Sequence, residues 1–282
     1  MEGVTGAAAA PLVAALSIRD ACLLGVVQGL TEFLPVSSDG HLAVLQYFLN
    51  PLPGEQRLAV TVALHIGTLV ALLIYFRADF VEWARQLVDP RRDGYFRSWA
   101  WLIVLGTIPA AIAGLTVKSW IEAATDSLLV VGICFLFNGV LLFAAGSVRN
   151  AQREARDIGM TDAIVIGCWQ ALALLPGVSR SGTTISSAVR RRIRPDVATR
   201  YSFFLGTPAI LGAIVLEGKD VAALAPELRL PLAIGVVTAF VTGLAAIALL
   251  LRVVRAGRLH YFAYYCWALG AVVAVAGMIG VA

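Results

Sequence analysis

Six apolar runs, at roughly 57–76, 98–117, 127–147, 198–216, 229–251 and 261–282, are each long enough to cross a hydrocarbon core of about 30 Å as a helix. Four others, at 20–34, 41–49, 160–175 and 183–189, are too short. The short runs fall in two pairs, and each pair flanks a polar stretch. With 59% hydrophobic and 14% charged residues and a mean hydropathy of +0.83, the 282-residue chain lacks the polar surface to cover a globule in water. It reads as an all-α integral membrane protein. Its formal charge of +4 is spread over loops with no basic tract, which argues against nucleic acid as a partner. Cys22, Cys134, Cys168 and Cys266 sit singly in apolar runs and read as small core residues.

The first polar stretch is Gln28-Gly-Leu-Thr-Glu32-Phe-Leu-Pro35-Val-Ser37-Ser38-Asp39-Gly40-His41, and the second is Gln170-Ala-Leu-Ala-Leu-Leu-Pro176-Gly-Val-Ser179-Arg180-Ser181-Gly182-Thr183-Thr184. In both, a Gln opens the stretch, a Leu-Pro ends the apolar run, serines follow, and a Gly lies twelve residues after the Gln. A helix break can sit at membrane depth only where protein surrounds it, so each stretch is expected to be the turn of a re-entrant helical hairpin. Pro35 and Pro176 end the incoming helices, and Gly40 and Gly182 permit the tight turns.

Threading six spans and two hairpins puts sixteen of the 22 Lys and Arg residues on one side and five on the other, with Arg180 inside a hairpin. By the positive-inside rule the arginine-rich side is cytoplasmic, and both termini lie outside. Three spans separate the hairpins, so they enter from opposite sides, as in an inverted repeat with halves 19–148 and 158–282. Leu105-Gly-Thr-Ile-Pro109 and Leu205-Gly-Thr-Pro208 echo each other, one in each half. Residues 1–18, lacking a basic segment before Arg19, read as a loosely ordered extension.

Burying Glu32, Asp39, His41 and Arg180 at membrane depth costs several kcal/mol each unless they pair or meet water, and that argues for function. Arg180, at the start of a helix and flanked by Ser179, Ser181, Gly182, Thr183 and Thr184, makes an anion site suited to phosphate. Gln28 and Glu32 share a helical face. Ser38, with Ser37 beside it, is a candidate nucleophile with His41 as its base. Alternatively, His41 activates water or protonates a leaving group, with a cation on Glu32 and Asp39; oxygen ligands suit Mg²⁺ or Ca²⁺.

Plainer readings stand beside these. Glu32, His41 and Arg180 could be a structural network, the serines helix caps, and Asp39 an N-cap. His65 reads as packed or weakly hydrogen-bonded within its span, His260 as interfacial, and Arg190, Arg191, Arg192 and Arg194 as an orientation anchor. Trp83, Trp99, Trp101, Trp120 and Trp267 fall near span ends, as interfacial belts do.

The two stretches resemble the motifs of the undecaprenyl-diphosphate phosphatases, bacitracin-resistance type integral membrane enzymes of bacterial cell-wall synthesis, and the likeness runs from about residue 20 onward. The resemblance implies hydrolysis of a polyprenyl diphosphate to the monophosphate at the outer face of the bacterial plasma membrane, with a divalent cation. It implies Gln28 and Glu32 as the acidic motif, Ser38 as nucleophile beside Ser37, His41 as catalytic histidine, and Ser179, Arg180, Ser181 and Thr184 as the phosphate group. Gln28 stands where many members have Glu, Asp39 where Thr or Ser is frequent, and Cys266 where an arginine is expected. The expected partners are the polyprenyl diphosphate and membrane lipids, a homodimer being allowed. The rival class is a lipid flippase or small-anion transporter, since carriers are also built from inverted repeats with broken helices.

Overall fold

The computed structural model describes residues 16–49, 54–89, 91–92, 94–148 and 150–280. The extension expected over 1–18 lies outside these apart from residues 16–18, as do Arg149 and the side chain of Lys118, both used in the charge count.

Among the described residues, six helices are long and apolar enough to cross a membrane: α3 (Gly54–Tyr75), α5 (Phe96–Thr116), α7 (Leu128–Gly146), α10 (Pro195–Ala223), α11 (Pro226–Arg255) and α12 (Tyr261–Met278). They coincide with the six apolar runs. The four short runs are helices too: α1 (Ile18–Phe33), α2 (Ser38–Phe48), α8 (Met160–Leu172) and α9 (Arg180–Arg190). α1 stops before Pro35, and α8 stops before Pro176. At 29 and 30 residues, α10 and α11 outrun their apolar cores, because charged residues such as Lys219 and Arg252 prolong the helix into polar surroundings.

Two further helices, α4 (Arg77–Val88) and α6 (Lys118–Thr125), were not expected. Neither contains an apolar run; both are amphipathic pieces that gain stability by packing. α4 sets Phe80 flat on Phe204 at 4.4 Å between ring centres and Asp79 3.1 Å from Arg200. Of the expected belt tryptophans, Trp99 belongs instead to the interior and Trp267 is half-buried. Trp99 is fully buried, edge-on to Tyr201, and donates Nε1–H to Ala155 O; Trp267 donates Nε1–H to Leu136 O. Trp101 and Trp120 are exposed, as belt residues are.

Within lipid, helix association rests on close packing and small residues. A Cβ on Gly25 of α1 would lie 2.3 Å from Gly235 O of α11, and one on Gly167 of α8 would lie 2.3 Å from Gly106 O of α5, so these backbones touch. The packing is reciprocal: α1 lies on α11 as α8 lies on α5, and α3 on α11 as α10 on α5, while α3 meets α10 and α7 meets α12. Exchanging the two sets leaves these six contacts unchanged, which fits a repeat in which α5 corresponds to α11, although α2 and α9 both pack on α7. The echo between Leu105 and Leu205 therefore joins helices that are not counterparts in this pairing.

Candidate active site

The α1–α2 and α8–α9 turns meet near the middle of the bundle. Ser37, the N-cap of α2, has a positive φ of 70°, a strained backbone for a non-glycine residue, and its surroundings hold it there. Its Oγ accepts from Gly40 N in its own helix and from Gly177 N, 3.1 Å away in the other turn. Ser179 caps α9 in the same way, accepting from Gly182 N. Two of the four serines are thus caps, and Ser37 also ties the turns together. Ser181 Oγ lies 3.1 Å from Ser179 Oγ and donates to Leu34 O of the first turn at 3.3 Å.

Asn138 of α7 completes the joint. Its Nδ2 donates to Pro35 O at 2.8 Å and to Cys266 Sγ at 3.3 Å, and its Oδ1 accepts from Ser179 N at 3.2 Å. The carbonyl exposed by the first break and the N–H exposed by the second are satisfied by one amide. Cys266, where the resemblance led to an arginine, is a buried partner of that amide and carries no charge into the site.

Glu32 is the hub. One turn along α1, Gln28 donates Nε2–H to Glu32 Oε2 at 3.2 Å, as their shared face requires, and Ser38 donates its hydroxyl to the same oxygen at 2.6 Å. Arg180 Nη2 donates to the other oxygen at 2.6 Å. Acid, hydroxyl and guanidinium from the two halves therefore form one buried cluster. Arg180 lies against Gly206 of α10, where a Cβ would come within 2.1 Å of Nη1. Nη1 itself is buried with no partner, and so is Gln28 Oε1. Thr183 and Thr184 both donate to Arg180 O, and Thr184 Oγ1 is 2.6 Å from Ser202 Oγ; these hydroxyls fix the start of α9 and do not face the carboxylate.

His41 is not the partner of Ser38. Its Nδ1 is 2.6 Å from Ser37 O, which can only accept, so Nδ1 carries a proton; Nε2 is 2.7 Å from Tyr265 OH, and the two rings stack. With both nitrogens engaged, the imidazole holds the Ser37 carbonyl and closes the turn against α12. The histidine that joins the cluster is His65 of α3, expected to be packed or weakly hydrogen-bonded and to have no tie to the motifs. Its Nδ1 is 2.8 Å from Thr61 O and its Nε2 is 3.3 Å from Glu32 Oε2. Since both nitrogens face acceptors, a proton lies between imidazole and carboxylate. Asp39 is not an N-cap: it stands in the first turn of α2, half-exposed, with Oδ1 3.9 Å from His65 Nε2.

Sequence reasoning also missed Asn138 and Tyr265. The available signal for Asn138 and His65 was that each is an isolated polar side chain in an otherwise apolar span.

A cluster of this kind holds an anion on the guanidinium and poises a hydroxyl on a carboxylate, the requirements of phosphoryl transfer. The family model for "Bacitracin resistance protein BacA" matches residues 21–272. The chain is 40% identical over 265 residues to an undecaprenyl-diphosphatase of Alkaliphilus metalliredigens, covering 90% of this chain and 96% of that protein. It is 41% identical over 266 residues to that of Rubrobacter xylanophilus, covering 92% and 98%. With that of Methanobrevibacter smithii the figures are 35% over 271 residues, 92% and 97%.

Proposed function

Because the chain belongs to the BacA family, we infer that this multi-pass membrane protein is an undecaprenyl-diphosphatase, which removes the terminal phosphate of undecaprenyl diphosphate and so recycles the carrier lipid for cell-wall synthesis. The observation that carries the chemistry is the line from Ser38 Oγ through Glu32 to Arg180, with Arg180 Nη1 left without a partner.

In this reading the terminal phosphate lies on Arg180 Nη1, with the Ser179–Ser181 turn and Gln28 beside it. Ser38 Oγ attacks the terminal phosphorus while its proton passes to Glu32, and the bond from phosphorus to the bridging oxygen breaks. Undecaprenyl phosphate leaves with that oxygen. Water then attacks the phosphoserine, giving inorganic phosphate and restoring the Ser38 hydroxyl. His65 acts through Glu32 by sharing its proton, and His41 acts through the turn that it holds. Positioning and charge neutralisation supply most of the rate, as for phosphoryl transfer generally.

Among the described residues no three His, Cys, Asp or Glu side chains are placed to hold a metal ion by themselves. Glu32, Asp39 and the unpartnered Gln28 Oε1 are nevertheless oxygen donors of the kind that hold Mg²⁺ or Ca²⁺ together with substrate phosphates and water. Such a cation, when bound, would neutralise phosphate charge. The arginine-rich side is taken as cytoplasmic, with both termini outside, the halves inverted and the site open to the outer face. A cysteine replacing Arg255 that is labelled by an impermeant reagent in intact cells would reverse that orientation. A carrier would need the anion site but no hydroxyl poised on a carboxylate, so the Ser38–Glu32 contact favours the enzyme over a flippase.

The test is phosphate release from undecaprenyl diphosphate by purified protein. Release with Mg²⁺ or Ca²⁺, lost with chelator and in Arg180→Ala, is expected. A protein that releases none under any of these conditions contradicts the reading.

A further inference from the structure

Behind the site, α7, α8 and α9 enclose a groove of about 220 Å³ that opens between the helices. One side is a single face of α9 that carries Thr183, Ser186, Ser187 and Arg190 at successive helical spacings. The opposite wall is apolar, with Leu141 and Ala144 of α7 and Trp169 of α8. Thr183 and Ser187 spend their hydroxyls within α9, on Arg180 O and Thr184 O. Ser186 does not: the residue is 2% exposed, it lines the groove, and its Oγ has no partner. Arg190 is exposed, and no carboxylate among the described residues pairs with it.

Depth and chemistry together select the occupant. α9 has 11 residues, so Arg190 lies ten steps, about 15 Å, along the helix from the start at Arg180, half of a hydrocarbon core of about 30 Å. With Arg180 near mid-membrane, Arg190 reaches the headgroup level. A buried hydroxyl without a partner is costly in hydrocarbon, so an occupant must bring an acceptor to Ser186, four residues and about 6 Å along the helix from Arg190. A glycerophospholipid carries its ester carbonyls a few bonds below its phosphate and meets both groups. A polyprenyl phosphate has only hydrocarbon there and leaves Ser186 unsatisfied.

We propose that this groove binds an anionic glycerophospholipid, with its phosphate on Arg190, an ester carbonyl on Ser186 Oγ and an acyl chain against Leu141, Ala144 and Trp169. In the orientation given above the lipid belongs to the cytoplasmic leaflet; the binding itself does not depend on that orientation. Thr183, in the floor of the groove, touches the carbonyl of Arg180, so a bound lipid braces the helix that presents the guanidinium.

The experiment titrates purified full-length protein with dioleoyl phosphatidylglycerol, and with its ether-linked analogue of the same headgroup and chain length, read by native mass spectrometry. Wild type is expected to prefer the ester lipid by about fivefold, the effect of one hydrogen bond. Ser186→Ala is expected to bind the two equally, and Arg190→Gln to weaken both. Undecaprenyl phosphate is expected not to displace the phospholipid. No ester preference in wild type, a preference that survives in Ser186→Ala, or displacement by undecaprenyl phosphate overturns the proposal. None of these readouts depends on phosphate release, so a failure here is separate from a failure of the phosphatase assignment.

Discussion

Ser38 donates its hydroxyl to Glu32 Oε2 at 2.6 Å across the break at Pro35. The contact exists only because the chain reverses there: six residues apart in sequence, the two side chains belong to helices running in different directions. If the carboxylate takes the serine proton, Glu32→Gln should keep the fold and lower kcat by roughly 10²–10⁴-fold, the range for loss of a general base. Steady-state phosphate release measures it; a loss under tenfold would remove Glu32 from that role.

His65 touches the same carboxylate oxygen, and His41 does not. His65→Ala should lower kcat with little change in KM, because the imidazole acts on Glu32 and not on the lipid. Tyr265→Phe removes the partner of His41 Nε2 and should cost less than tenfold. Reversed magnitudes in the two variants would return His41 to the reacting centre.

Arg180 fits where it does because Gly206 has no side chain. A methyl group 2.1 Å from Nη1 must push the guanidinium off Glu32, so Gly206→Ala should lower kcat/KM at least tenfold. Gly212, on the same helix with nothing within 4 Å of its Cβ position, is the control, and Gly212→Ala should leave turnover unchanged.

Away from the site, Asp162 at the start of α8 joins the loop before it to the end of α9. Burial alone would raise its carboxyl pKa, but hydrogen bonds from Arg153, Gly159 N–H and Arg191 outweigh this and hold it down at about 2. A carboxyl whose folded pKa lies below the ordinary 3.8 contributes its full stability above that value and loses it as pH falls through about 2. Thermal unfolding in detergent should therefore lose this contribution between about pH 4 and pH 2. Asp162→Asn should be less stable by about 2 kcal/mol at neutral pH and should lose that part of the acid dependence. An unchanged melting temperature in the variant would contradict it.

The spans, both breaks and the Gln28–Glu32 face were legible in the sequence, because each rests on local rules: apolar length, proline as a helix stop, and the four-residue helical face. Arg180 joined them because its stretch repeats the pattern of the first, although 148 residues separate it from Glu32. What failed was contact with distant neighbours that no such repeat marks. His41 follows Ser38 by three residues, and that nearness suggested a pair, but α12 supplies Tyr265 and turns the imidazole away. His65 reaches Glu32 only because α3 packs beside α1. Asn138 looks like a stray polar residue until both broken helices are seen to end on it. α4 and α6 carry no apolar run, so hydropathy had nothing to register.

The most direct measurement is a quenched single turnover with undecaprenyl diphosphate labelled in its terminal phosphate, followed by peptide mapping. Label on Ser38, absent in Ser38→Ala, is the result expected. Full phosphate release by Ser38→Ala, or turnover that never labels the protein, would mean that water attacks the phosphorus directly and that the serine only orients Glu32.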